Sequence, residues 1–354
     1  MKLKVAMSMV VAMGIAAGAA LAADVSSVNV VGYQSLTIQG TGGSVGYQGL
    51  AIPFSKIPAA RGVATANNST TITDGSATWT PSQFKQGTAA EAAGLSTFYV
   101  EISDTNSAFE GRHWYIADNS GTVLTLVGAM TGVPDNALAN TGYKIVAGTR
   151  VRDIFGVTNV ALKAGSGSAV ADTFSVWSTS QGGWGLPIFY RTGGFGSTYL
   201  INHWALSSNV ADDVVIDRDD GFLVKRQASG ATTNITVAGE VSMNAQSTVL
   251  VLGYNLLGGQ NVVDRPIVQA GLTNVMKAGS GSAVADTIAE WSTGSSGWSL
   301  PVFYRTGGFG STYLINHWAQ GSNIVDDTFI IKAGNSYLFK MATNKVWTSK
   351  SPLE

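Results

Sequence analysis

The sequence predicts an all-β protein made of tandem antiparallel modules, sandwich or barrel-like, and three observations predict it. Short runs rich in β-branched and aromatic residues recur about every 8 to 12 residues between Gly, Asn and Asp turns. Apolar spacing of three and four residues, sustained over about ten residues, is nearly absent, which leaves little material for helices. A 42-residue stretch occurs twice, Lys163 to Trp204 and Lys277 to Trp318, at an offset of 114, and 34 of its positions are identical. The differences are Phe174/Ile288, Ser175/Ala289, Val176/Glu290, Ser180/Gly294, Gln181/Ser295, Gly182/Ser296, Gly185/Ser299 and Ile188/Val302.

Taken in order, the chain opens on Lys2 and Lys4, an apolar Val5 to Ala19 and the small-x-small triplet Ala20-Leu21-Ala22, the pattern of a Sec signal peptide over residues 1–22. Its weakly hydrophobic run of about 15 residues falls short of the roughly 20 that span a bilayer. The remainder divides into an N-terminal β domain at 23–157, a first repeat module at 158–246 and a second at 247–354. Val28 to Ile38 and Leu50 to Phe54 flank a Gly-rich turn and predict a hairpin. Ser26 to Leu36 lines up with Ser247 to Leu257, so a common opening strand is expected for the first and last modules. Thr70 to Thr80 carries an Asp-Gly turn, and Thr88 to Gly94 is the one helical turn expected nearby. Thr97 to Ile102, His113 to Ala117 and Thr122 to Val127 read as a meander, and Thr141 to Val151 supplies one or two strands more. Within the repeat, Thr173 to Trp177, Trp184 to Tyr190 and Ser197 to Trp204 are expected as strands. Val214 to Ile216, Gly221 to Lys225 and Asn234 to Ala238 extend the first copy. Thr328 to Ile331 and Tyr337 to Met341 extend the second.

Composition narrows the function. With 12% charged residues and a formal net charge of -1, which becomes -3 without Lys2 and Lys4, there is no electrostatic footprint for nucleic acid. The 43 glycines are balanced by 45% hydrophobic residues, a packed rather than disordered composition. The chain has no cysteine, hence neither disulfides nor a lipidated cysteine. No segment after residue 22 is expected to cross a membrane.

Several stretches carry a resemblance. SSVNVVGYQSLTI after the leader, LAIPF at 50–54, FYVEIS and FEGRHWYIADNSGTVLTL between 98 and 126, and GFLVKR with ITVAGEV between 221 and 241 resemble a family of exported, functionally uncharacterised proteins of planctomycete and verrucomicrobial bacteria. The resemblance implies secretion and β architecture, and it carries over no catalytic residue.

The chemistry-bearing residues are few. His113, His203 and His317 each precede a tryptophan; one per module is too few for a usual metal site, and a strand-edge histidine bonded locally is expected. Asp172 and Asp286 could serve a Ser-His-Asp triad, but no G-x-S-x-G elbow accompanies them. Asp212-Asp213 and Asp326-Asp327 are adjacent, so in a strand they point to opposite faces and do not form a glycosidase pair. Asp217 to Asp220 gathers oxygen ligands but lacks full calcium-loop spacing. No catalytic residue, metal or cofactor is therefore expected. The aromatic set is the remaining candidate. Trp184, Tyr190, Arg191, Asn202 and Trp204, mirrored by Trp298, Tyr304, Arg305, Asn316 and Trp318, could form stacking platforms with hydrogen-bonding neighbours for sugars. Because Val176 becomes Glu290, that position is expected to face solvent, with Trp177 and Trp291 on the core side. The resulting expectation is an exported, non-enzymatic structural or binding protein of the periplasm, cell surface or extracellular matrix. Its partners would be glycans or further copies of itself; an accessory role in polysaccharide degradation is the alternative.

Overall fold

The computed structural model describes residues 30–85, 97–178, 183–194, 198–228, 230–258, 260, 262–292, 297–308 and 312–352. The leader at 1–22 and the helical turn expected at 88–94 lie outside the described residues. All-β architecture is what the chain adopts. Among the described residues, three seven-stranded sheets form open antiparallel layers, each running from one edge strand to another.

The first two strands, β1 (Val31–Ile38) and β2 (Gly46–Ala51), are joined through Gly42 and Gly43, whose positive φ angles of 56° and 104° suit residues without a Cβ. Along β1 the side chains of Leu36 and Ile38 turn inward and Tyr33 outward, the two-residue period of a half-buried strand. Next come β3 (Ala60–Ala64), β4 (Ala66–Asn67), β5 (Thr71–Thr73), β6 (Phe98–Ile102), β7 (His113–Asn119), β8 (Val123–Leu126) and β9 (Thr141–Ala147). They form a sheet of their own, ordered β3-β9-β6-β7-β8-β5-β4, over a core that includes Ile72, Phe84, Val100, Ile116, Leu124 and Ile145. The expected meander is β6-β7-β8. The expected Asp74-Gly75 turn forms, with Ala77 N–H donating to Asp74 O at 3.2 Å, but it joins no paired strands, because β5 pairs with β4 and β8; the Asp74 side chain accepts hydrogen bonds from Ser76 and from the Tyr143 hydroxyl at 2.6 Å.

The chain then returns to β1 and β2, which do not pair with each other as the expected hairpin would require but each take a later strand as partner. After β10 (Thr149–Arg150) and the single-turn helix α1 (Val151–Phe155), it runs through β11 (Thr173–Ser178), β12 (Gly183–Trp184), β13 (Ile188–Arg191), β14 (His203–Leu206), β15 (Asn209–Val210), β16 (Val215–Ile216), β17 (Gly221–Arg226) and β18 (Thr233–Glu240). β17 pairs along its whole length with β2, and β18 with β1. The sheet β15-β14-β13-β11-β17-β2 and the β1-β18 ribbon enclose one core, in which Leu36, Ile38, Ile235 and Val237 of the ribbon meet Leu50, Phe174, Phe222 and Val224 of the sheet. Module one is thus residues 31–54 and 149–240, and the sheet of residues 60–147 is inserted between its second strand and β10. β1 and β2, expected to belong with the N-terminal domain, complete the first repeat module.

Module two has the same plan without the insertion: β19 (Gln246–Leu250), β20 (Gly253–Gly258), β21 (Arg265–Pro266), β22 (Thr287–Ser292), β23 (Gly297–Trp298), β24 (Val302–Tyr304), β25 (Trp318–Gln320), β26 (Asn323–Ile324), β27 (Ile330–Ile331), β28 (Ser336–Met341) and β29 (Lys345–Ser349). Pairings match one for one: β19-β29 with β1-β18, β20-β28 with β2-β17, and β21-β27 with β10-β16. Within the repeats, Trp177↔Trp184 and Tyr190↔Trp204 become Trp291↔Trp298 and Tyr304↔Trp318. Strand register therefore makes GYQGLA at 46–51 the counterpart of GYNLLG at 253–258. The expected match to Ser26–Leu36 pointed to a second Gly-Tyr, at 32–33, which belongs to the ribbon.

Two further expectations are corrected. Ser197 to Trp204 is not one strand, since Thr198–Leu200 is a 3-10 turn and Asn202 takes a left-handed φ of 64°, so pairing begins at His203. Val176 follows the parity of buried Phe174 and packs against the core, whereas Trp177 faces the other way, half-buried.

Candidate functional site

The predicted aromatic platforms are largely interior. Trp204 and Trp318 are fully buried, and Trp204 is wedged against Phe155, Phe174 and Tyr190 at centroid distances of 5.3, 6.0 and 5.4 Å, donating its indole N–H to Gly156 O at 2.8 Å. Trp318 donates to Thr273 Oγ1 at 3.2 Å. Neither can stack a ligand. Tyr190 is buried and Tyr304 half-buried, and their hydroxyls donate to the carbonyls of Asn202 and Asn316 at 2.9 and 3.0 Å. Arg191 and Arg305 fold back on their own turns, donating from Nε to Gly193 O and Gly307 O at 3.0 and 2.9 Å. Trp184 and Trp298 remain half-exposed, and each meets the first tryptophan of its repeat edge to face, at 5.2 and 5.1 Å.

The polar candidates are structural. Asp172 and Asp286, entertained as triad acids, are buried and accept backbone N–H groups: Lys163 and Gln227 at 2.8 and 2.7 Å, Lys277 and Ala342 both at 2.7 Å. His203 and His317 instead bond through Nδ1 to Asp212 and Asp326 at 2.6 Å, and the second oxygen of each carboxylate accepts the N–H of Trp204 or Trp318. Asp213, pointing the other way, pairs with Arg150 and Arg152. Among the described residues there is no group of three or more His, Asp or Glu suited to a metal ion.

What the structure brings together is a joint between the two modules, with a cleft on either side. Its contacts come in exchanged pairs. Ala51 N–H donates to Gly334 O at 2.9 Å and Gly258 N–H to Asp219 O at 2.8 Å, while Leu50 bridges Asn335 and Leu257 bridges Asp220. Since β2 corresponds to β20, and 217–221 to 332–336, each contact is the other with the modules swapped, an isologous joint within one chain. Close approach there demands small residues: a methyl group built on Gly221 would run into Ser336 Cβ, and one on Gly258 into Ala51 Cβ.

One cleft, of about 380 Å³, lies where the inserted sheet covers the joint, lined by His113, Trp114 and Tyr115 on β7, by Asp217, Asp219 and Asp220, and by Thr248, Val249 and Asn255. Two of its three carboxylates are engaged. Asp217 lies 3.3 Å from His113 Nε2, and Asp219 pairs with Arg218 at 2.8 Å. Arg218 also reaches Glu101 at 2.7 Å, and Glu101 pairs with Lys144 at 3.0 Å, so a buried ion-pair network ties the inserted sheet to module one. Burial, joined by the charges of Asp217 and Asp219, pushes the Asp220 carboxyl well above the ordinary aspartate range.

The two-fold counterpart, a cleft of about 350 Å³, has no residue of the inserted sheet in its lining. Gln34, Thr37, Gln39 and Gln48 of module one form one wall, and Glu290, Trp291, Lys332, Asn335 and Ser336 of module two form the other. Where Asp217 and Asp220 stand in the first cleft, Lys332 and Asn335 stand here, and both contact Glu290 Oε1, at 3.2 and 2.8 Å. No protein-family model, no curated protein and no solved structure matches the chain. The site must therefore be understood from its own chemistry. Sequence reasoning singled out Glu290 as a useful difference between the copies, but had no signal for Gln34 or Gln48, which reach the cleft only because β1 and β2 join a module some 200 residues away in sequence.

Proposed function

We propose that this is an exported protein that works by binding or assembly rather than by turnover, at the cell surface, in the envelope or in an extracellular matrix. The observation that carries the reading is that exposed apolar side chains stand at matching places on both modules: Val170 and Val284, Leu186 and Leu300, Tyr199 and Tyr313, Val210 and Ile324, all between 41% and 68% exposed. Isolated apolar residues on a surface are ordinary, but a matched set on two modules held in a fixed relation offers a partner two equivalent contact surfaces, and two weak contacts joined by a stiff connection reinforce each other. The leader-like N-terminus and the resemblance to exported proteins support the location. Among the described residues no helix is long and apolar enough to cross a membrane.

Sedimentation over a hundredfold range of concentration, beside binding to intact cell envelopes, tests this reading. Association or envelope binding that falls when Leu186 and Leu300 are both changed to Ser supports it. A monomer at every concentration that ignores envelopes but turns over a polysaccharide sinks it.

A further inference from the structure

We propose that the open cleft at the joint is a binding site for a neutral, hydroxyl-rich ligand, a carbohydrate of about one or two sugar units. This rests on the binding reading above and assigns it a place distinct from the predicted platforms. Three buried polar atoms on the walls of this one cleft lack any partner: the indole N–H of Trp291, the side-chain Oε1 of Gln34 and the hydroxyl of Ser336, a residue only 1% exposed. Buried polar groups are nearly always paired, because each unpaired one forfeits its hydration. Three such atoms, on side chains that line one cleft, mark a place where hydrogen bonds are left for something else to complete.

Departure from the internal symmetry sharpens the assignment. Trp177, the counterpart of Trp291, donates its indole N–H across the joint to Tyr254 O at 3.1 Å. The tryptophan in module two stands beside Tyr47 at 5.9 Å, in the corresponding place, yet keeps its donor uncommitted. The other half of the Gln34 amide is already used, since Nε2 donates to Ala333 O at 3.1 Å, which leaves Oε1 as the uncommitted acceptor. Gln48 is committed to tying β2 to the end of β1, accepting from Gln39 N–H at 2.9 Å and donating to Thr37 O at 2.8 Å.

The ligand class follows from this inventory. A donor, an acceptor and a group that is both, set within one cleft, match hydroxyls, which donate and accept at once. Glu290 and Lys332 neutralise each other at 3.2 Å, so the cleft offers no unbalanced charge to an anion or a cation, while the carboxylate and Asn335 add polar edges typical of sugar contacts. The ring of Trp291 supplies an apolar surface. About 350 Å³ lies at the small end of ligand pockets.

The test is a panel of neutral mono- and disaccharides, with a uronic acid and an amino sugar as charged controls. It is read by calorimetry on the full-length secreted chain and on the variants Trp291→Phe, Gln34→Ala and Trp177→Phe. Trp291→Phe keeps an aromatic ring, though a smaller one, and removes the unpaired donor; Trp177→Phe makes the same change in ring size and so serves as its control, with folding of each checked by circular dichroism. We expect a neutral sugar to bind, Trp291→Phe and Gln34→Ala each to weaken it about tenfold, the factor for stranding one hydrogen bond, and Trp177→Phe to leave it unchanged. Equal weakening by Trp177→Phe, or none by Trp291→Phe, overturns the cleft while leaving a binding protein. Preference for a charged control overturns the ligand class. If no sugar in the panel binds, the cleft proposal falls, and the sedimentation and envelope experiments decide the broader reading by themselves.

Discussion

At the scale of single residues, position 176/290 reverses the expectation drawn from sequence. A carboxylate in the second copy suggested a solvent-facing site, but Glu290 is half-buried and is tolerated because Lys332 and Asn335 meet it. In module one those places belong to Asp217 and Asp220, so Val176→Glu would put a third carboxylate beside two others against the core. We expect it to cost about 1–3 kcal/mol, the price of a poorly compensated polar group, measured by urea unfolding; a cost below about 0.5 kcal/mol would show that the acidic pair does not reach it. The tryptophans give a second test. Both Trp→Phe changes shrink the same packed ring, so Trp177→Phe, which also loses its bond to Tyr254, should cost about 0.5–1.5 kcal/mol more than Trp291→Phe, whose donor bonds nothing. Equal losses in the two variants would show that the indole N–H groups are equivalent after all. The burial of Trp204 was not legible because the expected strand carried an aromatic on each face, and alternation alone does not say which face is covered.

Strands are the scale at which sequence was most informative. β-branched and aromatic runs bounded by turn residues marked β1, β6, β7, β8 and β17 near their observed bounds; a period of two in burial shows in β1 and β8, whereas β6 and β17 are covered on both faces. Partner choice leaves no such mark. Nothing in Val31–Ile38 announces β18, and the repeated Gly-Tyr at 32–33 and 46–47 drew the comparison with module two onto the wrong strand. For the same reason the walls of the open cleft could not be assembled from motifs. The joint itself yields a prediction at this scale. Gly221 in β17 and Gly258 in β20 permit close contact, and Gly258→Val should push β20 away from β2, costing about 1–3 kcal/mol as an overpacked contact does. The same change should weaken sugar binding, because the cleft walls come from opposite modules. Unaltered stability would mean that the joint is loose.

For the molecule as a whole, the covered cleft links all three sheets and sets a dependence on pH. Asp220 has its folded pKa raised, first by burial and then by Asp217 and Asp219, so the folded state is favoured while it is protonated, and stability is lost as pH climbs through that raised value. Glu101 and Asp217 shift the opposite way. Burial alone would raise them, but Lys144 and Arg218 overcome it at Glu101, as do His113 and Arg218 at Asp217, and their contribution, present above the ordinary carboxylate range of about 4, is lost as pH falls below it through their lowered values. Stability should therefore peak under mildly acidic conditions, and Asp220→Asn should flatten the decline on the alkaline side when Tm is followed from pH 4 to 8. Parallel profiles for the two proteins would remove Asp220 as the cause. The inserted sheet has a further consequence, for the order in which a chain made from its N-terminus can fold. β1 is made first, yet its partner β18 follows only after about two hundred more residues, a long loop to close. The intervening sheet draws all its pairings from residues 60–147 and can close on itself during that interval. Through most of synthesis the nascent chain thus carries a half-apolar ribbon with no mate, a natural handhold for a chaperone that keeps polypeptides extended until the last strands arrive.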